Sequence, residues 1–153
     1  ILRDRDVRFL CDLYKVKYLN SGRICELYGG YKNTMRRLRQ MEINGYIRVV
    51  DKTYTGENVY GVTKKTCNTF NLLFESVPKT SKLSHSLAEA DLYYYLLGNN
   101  GGVKEFNLEV QYYFNHNKRK YTFRPDIFLE TDRKILVEID LCNRRFEDKV
   151  KKW

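Results

Sequence analysis

The sequence predicts an α+β fold, and two patterns along the chain support that prediction. Over residues 4–44, apolar side chains recur every three or four positions, which is the spacing of one face of a helix. From Val103 onward, apolar and polar residues alternate, which is the period of a β-strand. A polar segment that contains Pro78 lies between them. Because proline and polar residues mark boundaries, we predict two domains, residues 1–77 and 78–153.

The composition of the 153 residues narrows the class of partner. A formal net charge of +9 and a pI near 9.4 favour a polyanionic partner, with nucleic acid ahead of an acidic membrane surface. No apolar run approaches membrane-spanning length and no signal peptide is evident, so we expect a cytoplasmic protein. The four cysteines and two histidines have no zinc-site spacing, and we interpret the cysteines as free thiols. A start at Ile1 is compatible with a fragment of a longer protein.

Three short helices followed by a β-hairpin are predicted for residues 4–63. Asn20 or Ser21 is a suitable N-cap for the second helix, and Gly29–Gly30 ends it. "YIRVV" and "VYGVT" are the two strands of the hairpin, around the tip "DKTYTGEN". This order is that of a winged helix-turn-helix. The apolar face of the first helix is predicted to be Val7, Leu10, Cys11 and Tyr14.

The third helix carries the features of a DNA-reading element. Its buried stripe is predicted to be Met35, Leu38 and Met41, and Gly45 ends it. Four bases lie mainly off that stripe, with one acid, Glu42. The alternative is a solvated basic face in a protein–protein module. The residues predicted to reach base edges are Tyr31, Lys32, Asn33, Thr34 and Arg36, and those predicted to contact phosphate are Arg37, Arg39, Lys52 and Tyr54.

The run from Arg37 to Ile47 resembles the end of the recognition helix and the first wing strand of many winged-helix DNA-binding domains. The matching pattern is Arg37-Leu38-x-x-Met41-x-x-x-Gly45-Tyr46-Ile47. The resemblance covers roughly residues 4–63 and implies a duplex DNA partner.

Two further helices are predicted beyond the hairpin, in "KKTCNTFNLLFESV" and in "SHSLAEADLYYYLLGNNGG". The strands predicted next are "FNLEVQYYFN", "PDIFLE" and "KILVEIDL", with "HNKRKYTF" as a basic turn and "NRRFEDKVKKW" as a closing helix. The aromatic clusters at 93–95 and 112–114 are expected either to pack or to stack on bases. The run "HNKRK" suits phosphate contacts.

Three carboxylates fall on the last two predicted strands. Glu138 and Asp140 are two apart and therefore share a face. A two-residue turn, Asp132–Arg133, would put Asp126 on the other face. A three-residue loop, residues 131–133, would pair Glu130 with Lys134 and set Asp126 opposite Glu138. A metal site requires the three-residue loop or a bulge.

Gathered carboxylates repel one another, and holding them together is costly without a cation. Their hard oxygen ligands suit Mg²⁺ or Mn²⁺, completed by water and phosphate. Such an ion polarises a phosphodiester and lowers the pKa of the attacking water. We therefore predict a metal site at Asp126 and Glu138, used only if the protein is catalytic.

The second half resembles the PD-(D/E)xK nuclease superfamily, and the predicted fold is thus a winged helix followed by a small restriction-endonuclease-like α/β core. Pro125-Asp126 matches "PD", and Glu138-Ile139-Asp140 matches "(D/E)xK" except that Asp140 replaces the lysine. An acid on the preceding helix is also typical, and Glu89 is the candidate, one turn after His85. The resemblance implies the catalytic residues Glu89, Asp126, Glu138 and Asp140.

Five segments spread along the chain form a further pattern: "RRLRQMEINGYI", "YGVTKK", "SHSLAEADLYYYL", "RPDIFLE" and "VEIDLCNRRFEDKVKKW". In the last segment, the lysine Lys149 is followed four residues later by the aromatic Trp153. With these segments, nearly the whole chain is similar to the replication-relaxation family of bacterial plasmids and mobile elements. The resemblance implies double-stranded DNA as partner at a replication or transfer origin, with a homodimer and a relaxase or replication initiator as further candidate partners.

The absent lysine leaves the enzymatic activity open. Asp140 can act as ligand or general base, as an acid does in some restriction-type nucleases. Arg144 or Lys149 can instead supply the positive charge from the closing helix, and His85 can assist. As a third possibility, the nuclease-like fold is degenerate, and the protein only binds DNA, as a regulator or adaptor. The acids can also be structural, with Glu138 paired to Arg124 or Arg145.

Overall fold

The computed structural model describes residues 2–76, 80–99 and 102–139. It is a mixed α+β structure, which confirms the predicted class. The chain divides into two compact units, Ile1–Ala90 and Asp91–Trp153. The predicted domain boundary between residues 77 and 78 stays a prediction.

The first unit contains helices and one small antiparallel sheet. Its strands lie in the order β1-β3-β2. Strand β1 was not predicted, because a strand of two residues is too short to show the alternation of apolar and polar residues that indicates a strand. The elements are α1 (Asp4–Val16), β1 (Leu19–Asn20), α2 (Ser21–Tyr28), α3 (Tyr31–Ile43), β2 (Ile47–Lys52), β3 (Asn58–Val62) and α4 (Lys64–Thr69).

The predicted apolar face of α1 is wrong by one position. Phe9, Leu10, Leu13 and Val16 are its buried apolar residues, whereas Cys11 is exposed. Both stripes contain Leu10 and both have helical spacing, so periodicity alone does not separate them. The observed stripe is selected because it buries the larger apolar area.

The predicted ends of α2 are confirmed. The Asn20 side chain accepts a hydrogen bond of 2.8 Å from the Arg23 backbone N–H, which satisfies one of the open donors at the helix start. Gly29 follows the helix with φ of +117°, a conformation that L side chains rarely adopt. The turn that joins α2 to α3 is therefore specified by glycine.

The predicted helix after the hairpin is shorter than its pattern. Helix α4 ends at Thr69, and Asn71 lies in the left-handed region with φ of +54°. Leu73 and Phe74 remain exposed, and the Arg48 guanidinium lies 5.3 Å from the centroid of the Phe74 ring. The apolar spacing of residues 70–74 thus continues past the real end of the helix.

The second unit contains a three-stranded antiparallel sheet, β4-β7-β8, and a separate two-stranded sheet, β5-β6. Tyr93 packs on Phe106, with ring centroids 4.7 Å apart, and Ile127, Phe128 and Leu129 are buried. The elements are α5 (Thr80–Gly98), whose first part lies in the first unit, β4 (Glu105–Leu108), β5 (Tyr112–His116), β6 (Arg119–Phe123), β7 (Ile127–Glu130) and β8 (Lys134–Val137).

Two strand predictions need correction. The single strand predicted over residues 106–115 is broken at Glu109, whose φ of +52° ends β4. The predicted basic turn "HNKRKYTF" is instead the turn and second strand of the β5–β6 hairpin. Asp140 and the predicted closing helix lie outside the described residues. Within the described ranges, no helix is long and apolar enough to cross a membrane.

Candidate nucleic-acid interface and carboxylate site

Helix α3 has a buried face and an opposite face that is exposed and cationic. Leu38 and Met41 are buried in the unit's core. Lys32, Arg36 and Arg39 are exposed and spaced by four and three residues, so they lie along one side of the helix. We call these three side chains the basic face of α3. The exposed side chains of Tyr31 and Asn33 stand at the N-terminal end of the same helix.

Two residues predicted to contact DNA are bound within the unit instead of extending from this face. Thr34 is buried, and its hydroxyl donates a hydrogen bond of 2.9 Å to the Gly29 carbonyl. Arg37 Nε donates to Asp6 Oδ1 at 2.8 Å, and a second guanidinium nitrogen pairs with Asp6 Oδ2. The DNA contacts assigned to these two residues stay predictions.

The buried Asp6 is held by donors on two sides. Its Oδ2 accepts a hydrogen bond of 2.7 Å from the Arg3 backbone N–H at the start of α1. The Arg37 guanidinium, as the main cause, holds the pKa of the Asp6 carboxyl below its usual value, although burial opposes this. The pair therefore joins α1 to α3 through a charged hydrogen-bonded contact.

A concave surface of about 370 Å³ lies beside α3 in the first unit. Arg3 and Arg5, from the start of α1, line it together with Asn33, Arg36 and Gln40. The Arg5 guanidinium approaches the α2–α3 turn so closely that a Cβ at Gly29 would lie 3.1 Å from it. Sequence reasoning missed Arg3 and Arg5, because their proximity to α3 arises only from the packing of α1.

The β2–β3 hairpin presents the remaining predicted phosphate contacts. Lys52 ends β2 and is exposed, and Tyr54 extends fully into solvent at the tip. The Thr53 backbone N–H donates to the Glu57 carbonyl at 2.8 Å, and Gly56 has φ of +85°. The tip is thus an ordered turn with an exposed aromatic side chain.

The β7–β8 hairpin has the three-residue loop that a carboxylate site requires. Glu130 pairs with Lys134, and Ile127 pairs with Val137. Asp126 directly precedes this last pair and Glu138 directly follows it, so continuing the same register by one position would set the two acids opposite each other. The register in which Glu130 meets Lys134 is confirmed. We call Asp126 and Glu138 the carboxylate pair.

Local hydrogen bonds fix the position of Asp126. Its Oδ2 accepts a hydrogen bond of 2.7 Å from the Ile139 backbone N–H, and its carbonyl accepts one of 2.9 Å from the Glu109 N–H. The preceding Pro125 is fully buried and has no N–H that would need a partner. Arg124 pairs with Glu109 at 3.4 Å, so its charge is engaged beside the site.

The third predicted acid, Glu89, lies on α5 in the first unit. It is only 2% exposed, and its Oε1 lies 3.6 Å from Nε2 of His85, one helical turn earlier. An almost fully buried glutamate is uncommon unless it is paired or binds a metal. The burial of Glu89 distinguishes it from an ordinary surface acid.

The described residues define an α+β protein with an exposed basic helix face in one unit and a carboxylate pair on a hairpin in the other. The family model for replication-relaxation proteins matches residues 10–153 of the chain. The protein therefore belongs to the replication-relaxation family, and this membership indicates a role related to plasmid replication. Neither the curated proteins nor the solved structures contained a match.

Proposed function

We propose that this chain is a DNA-binding protein of a bacterial plasmid or mobile element, which acts in the cytoplasm at a replication or transfer origin. In this proposal the first unit is a winged helix-turn-helix, α3 is its recognition helix and β2–β3 is its wing. The observation that carries the proposal is the basic face of α3, which is exposed opposite the buried Leu38 and Met41. Family membership is consistent with this role.

Charge and geometry suggest how duplex DNA is held. An α-helix fits the major groove, and side chains near its N-terminus reach base edges. Asn33 and Arg36 suit bidentate bonds to adenine and guanine, with Tyr31 and Lys32 beside them. Arg39, Lys52 and Tyr54 suit phosphate, a contact that sets position without reading sequence.

Selection of bound duplexes from a random library tests which side chains read sequence. We expect Asn33→Ala to relax the preference at one base pair, because the amide no longer bonds a base edge. Lys52→Ala is the control, since loss of a phosphate contact weakens all duplexes alike. If wild type and Asn33→Ala select the same sequence equally well, Asn33 does not read bases.

A second candidate function is hydrolysis of a phosphodiester in a PD-(D/E)xK nuclease-like core. The observation that favours it is the register of the β7–β8 hairpin, in which Ile127 pairs with Val137 and Asp126 and Glu138 flank that pair. We propose that Mg²⁺ or Mn²⁺ binds the carboxylate pair, and that Asp140 supports catalysis in place of the usual lysine. When bound, the cation would polarise the phosphodiester and activate the attacking water.

Nicking of a supercoiled plasmid that carries the origin, with Mg²⁺ or Mn²⁺, tests this second function. The wild type is expected to nick, and Asp126→Ala and Glu138→Ala are expected to lose nicking, because each removes a proposed ligand. Asp132→Ala is the matched control, since this exposed acid lies in the loop of the same hairpin.

The alternative is a regulator or adaptor without catalytic activity. In that case the second unit mediates dimerisation or recruits a relaxase or replication initiator. Absence of nicking by the wild type, with tight and salt-dependent DNA binding intact, would contradict the nuclease and support this alternative.

A further inference from the structure

The β5–β6 hairpin, residues 112–123, has an exposed surface to which the proposed functions assign no role. We call it the aromatic hairpin. Among the residues that the structure describes, its strands pair only with each other, with Tyr112 opposite Phe123, Phe114 opposite Tyr121 and His116 opposite Arg119. Tyr113 and Phe114 are 59% and 53% exposed, and Tyr121 is 40% exposed. Large aromatic side chains this exposed, on both faces of one hairpin, indicate an interaction surface.

The two faces of the hairpin differ along its length. On one face, Tyr112 packs on the buried Phe128 with ring centroids 5.7 Å apart, which attaches the base of the hairpin to the second unit's core. Further out on that face, the Phe114 and Tyr121 rings lie 5.3 Å apart and only 12° from parallel. The hairpin is therefore anchored at its base and presents two nearly parallel rings in solvent.

The charge of the aromatic hairpin is of one sign. Residues 112–123 contain the consecutive cations Lys118, Arg119 and Lys120 and no acid. Lys120 Nζ lies 4.4 Å from the Tyr113 ring centroid on the other face. A second copy of this chain would bring like charges together, which is unfavourable. A polyanion meets no repulsion there.

We propose that the aromatic hairpin binds single-stranded DNA. Proteins that bind single strands combine cations that follow the phosphates with aromatic side chains on which bases stack. Phe114, Tyr121 and Tyr113 provide the aromatic faces, and the cations at residues 118–120 provide the phosphate contacts. Paired bases in duplex DNA are already stacked and do not offer their faces, so the hairpin discriminates in favour of unpaired DNA. The aromatic hairpin and the basic face of α3 consist of different residues.

Fluorescence anisotropy with a labelled 15-nucleotide thymidine oligomer tests the proposal on the full chain. Phe114→Leu with Tyr121→Leu is expected to raise Kd about tenfold or more, because the apolar bulk stays and the stacking surface is lost. Tyr95→Leu is the matched control, since Tyr95 is an exposed aromatic on α5. Binding to a duplex of equal length is expected to change less than twofold in both variants.

The α3 variant Lys32→Ala with Arg36→Ala separates this proposal from the proposed function. It is expected to weaken duplex binding and to leave oligothymidine binding within twofold. If oligothymidine binds both the wild type and the hairpin variant with the same Kd, or does not bind the wild type, the hairpin proposal is wrong. Whether α3 binds duplex DNA is decided separately, by the duplex measurements on the α3 variant.

Photocrosslinking gives a readout that does not depend on how well a variant folds. An oligomer that carries 5-iodouracil is expected to crosslink to wild-type protein at an aromatic residue within 112–123. Crosslinks confined to other segments would overturn the proposal. A change of sedimentation coefficient on Phe114→Leu with Tyr121→Leu, without loss of oligothymidine binding, would assign the surface to self-association instead.

Discussion

At the scale of single residues, Asp6 and Arg37 determine how α1 is joined to α3. Arg37 belongs to a run of bases that the sequence assigns to DNA, yet its guanidinium binds the buried Asp6 carboxylate. The acid lies 31 positions earlier in the chain, so no local pattern indicates the pair. By contrast, the Asn20 cap was predictable, because its side chain accepts a hydrogen bond from a backbone N–H only three residues later in the chain.

Replacing Asp6 tests the importance of this contact. Asp6→Asn is expected to lower the free energy of unfolding at pH 7 by about 2–4 kcal/mol, because it leaves Arg37 without its anion. Urea unfolding followed by circular dichroism measures the change. Asp4→Asn, an exposed acid in the same helical turn, is the control and should change the value by less than about 0.5 kcal/mol.

The same pair gives a pH dependence of known sign. The pKa of Asp6 is lowered in the folded protein, so the stability it contributes is present above its unfolded pKa of about 3.9 and is lost as pH falls through the folded value. The difference in stability between wild type and Asp6→Asn should therefore shrink between pH 5 and the acid limit of about pH 2. A constant difference over that range would contradict the assignment.

At the scale of elements, the sequence predicted most helices and strands but placed several ends wrongly. The three-residue loop of the β7–β8 hairpin was one of two registers considered, and the pairing of Glu130 with Lys134 is the one observed. Helix α4 ends at Thr69 and β4 ends at Leu108, shortly before Asn71 and Glu109, which adopt positive φ. Because neither residue is glycine, the sequence gives little warning of these left-handed positions.

The turn of the aromatic hairpin offers an element-scale test. Asn117 and Lys118 have φ of +49° and +61°, the left-handed pattern of a tight hairpin turn. Lys118→Gly is expected to stabilise the hairpin by about 0.5–1 kcal/mol, because glycine adopts this region without a Cβ clash. Slower amide hydrogen exchange within residues 112–123 of the Lys118→Gly variant would show that the hairpin is stabilised.

Asn117→Gly is the matched control for this change. Asparagine tolerates the left-handed region better than lysine does, so the gain at position 117 should be smaller. Equal slowing of exchange by the two variants, or faster exchange in Lys118→Gly, would contradict the strain assigned to Lys118.

At the scale of the whole molecule, the sequence indicated both the family and the α+β class, and each is confirmed. The sequence left two registers open for the last hairpin, and the structure has the one in which Glu130 pairs with Lys134. The burial of Glu89 and the proximity of Arg5 to the α2–α3 turn could not be predicted, since both depend on packing between distant segments. Exposure of the aromatic hairpin was likewise undetermined, as aromatic runs are equally suited to a core.

The central claim is that the basic face of α3 binds duplex DNA. Anisotropy with a labelled duplex, across a series of salt concentrations, tests it with Lys32→Ala plus Arg36→Ala. The control is Arg8→Ala plus Lys64→Ala, which removes the same charge from exposed positions outside α3. We predict that the α3 variant loses at least about tenfold in affinity and that the control loses at most about twofold, because the control replaces no residue that we propose to contact bases or phosphates. Equal losses in the two variants, or no loss in the α3 variant, would contradict the claim.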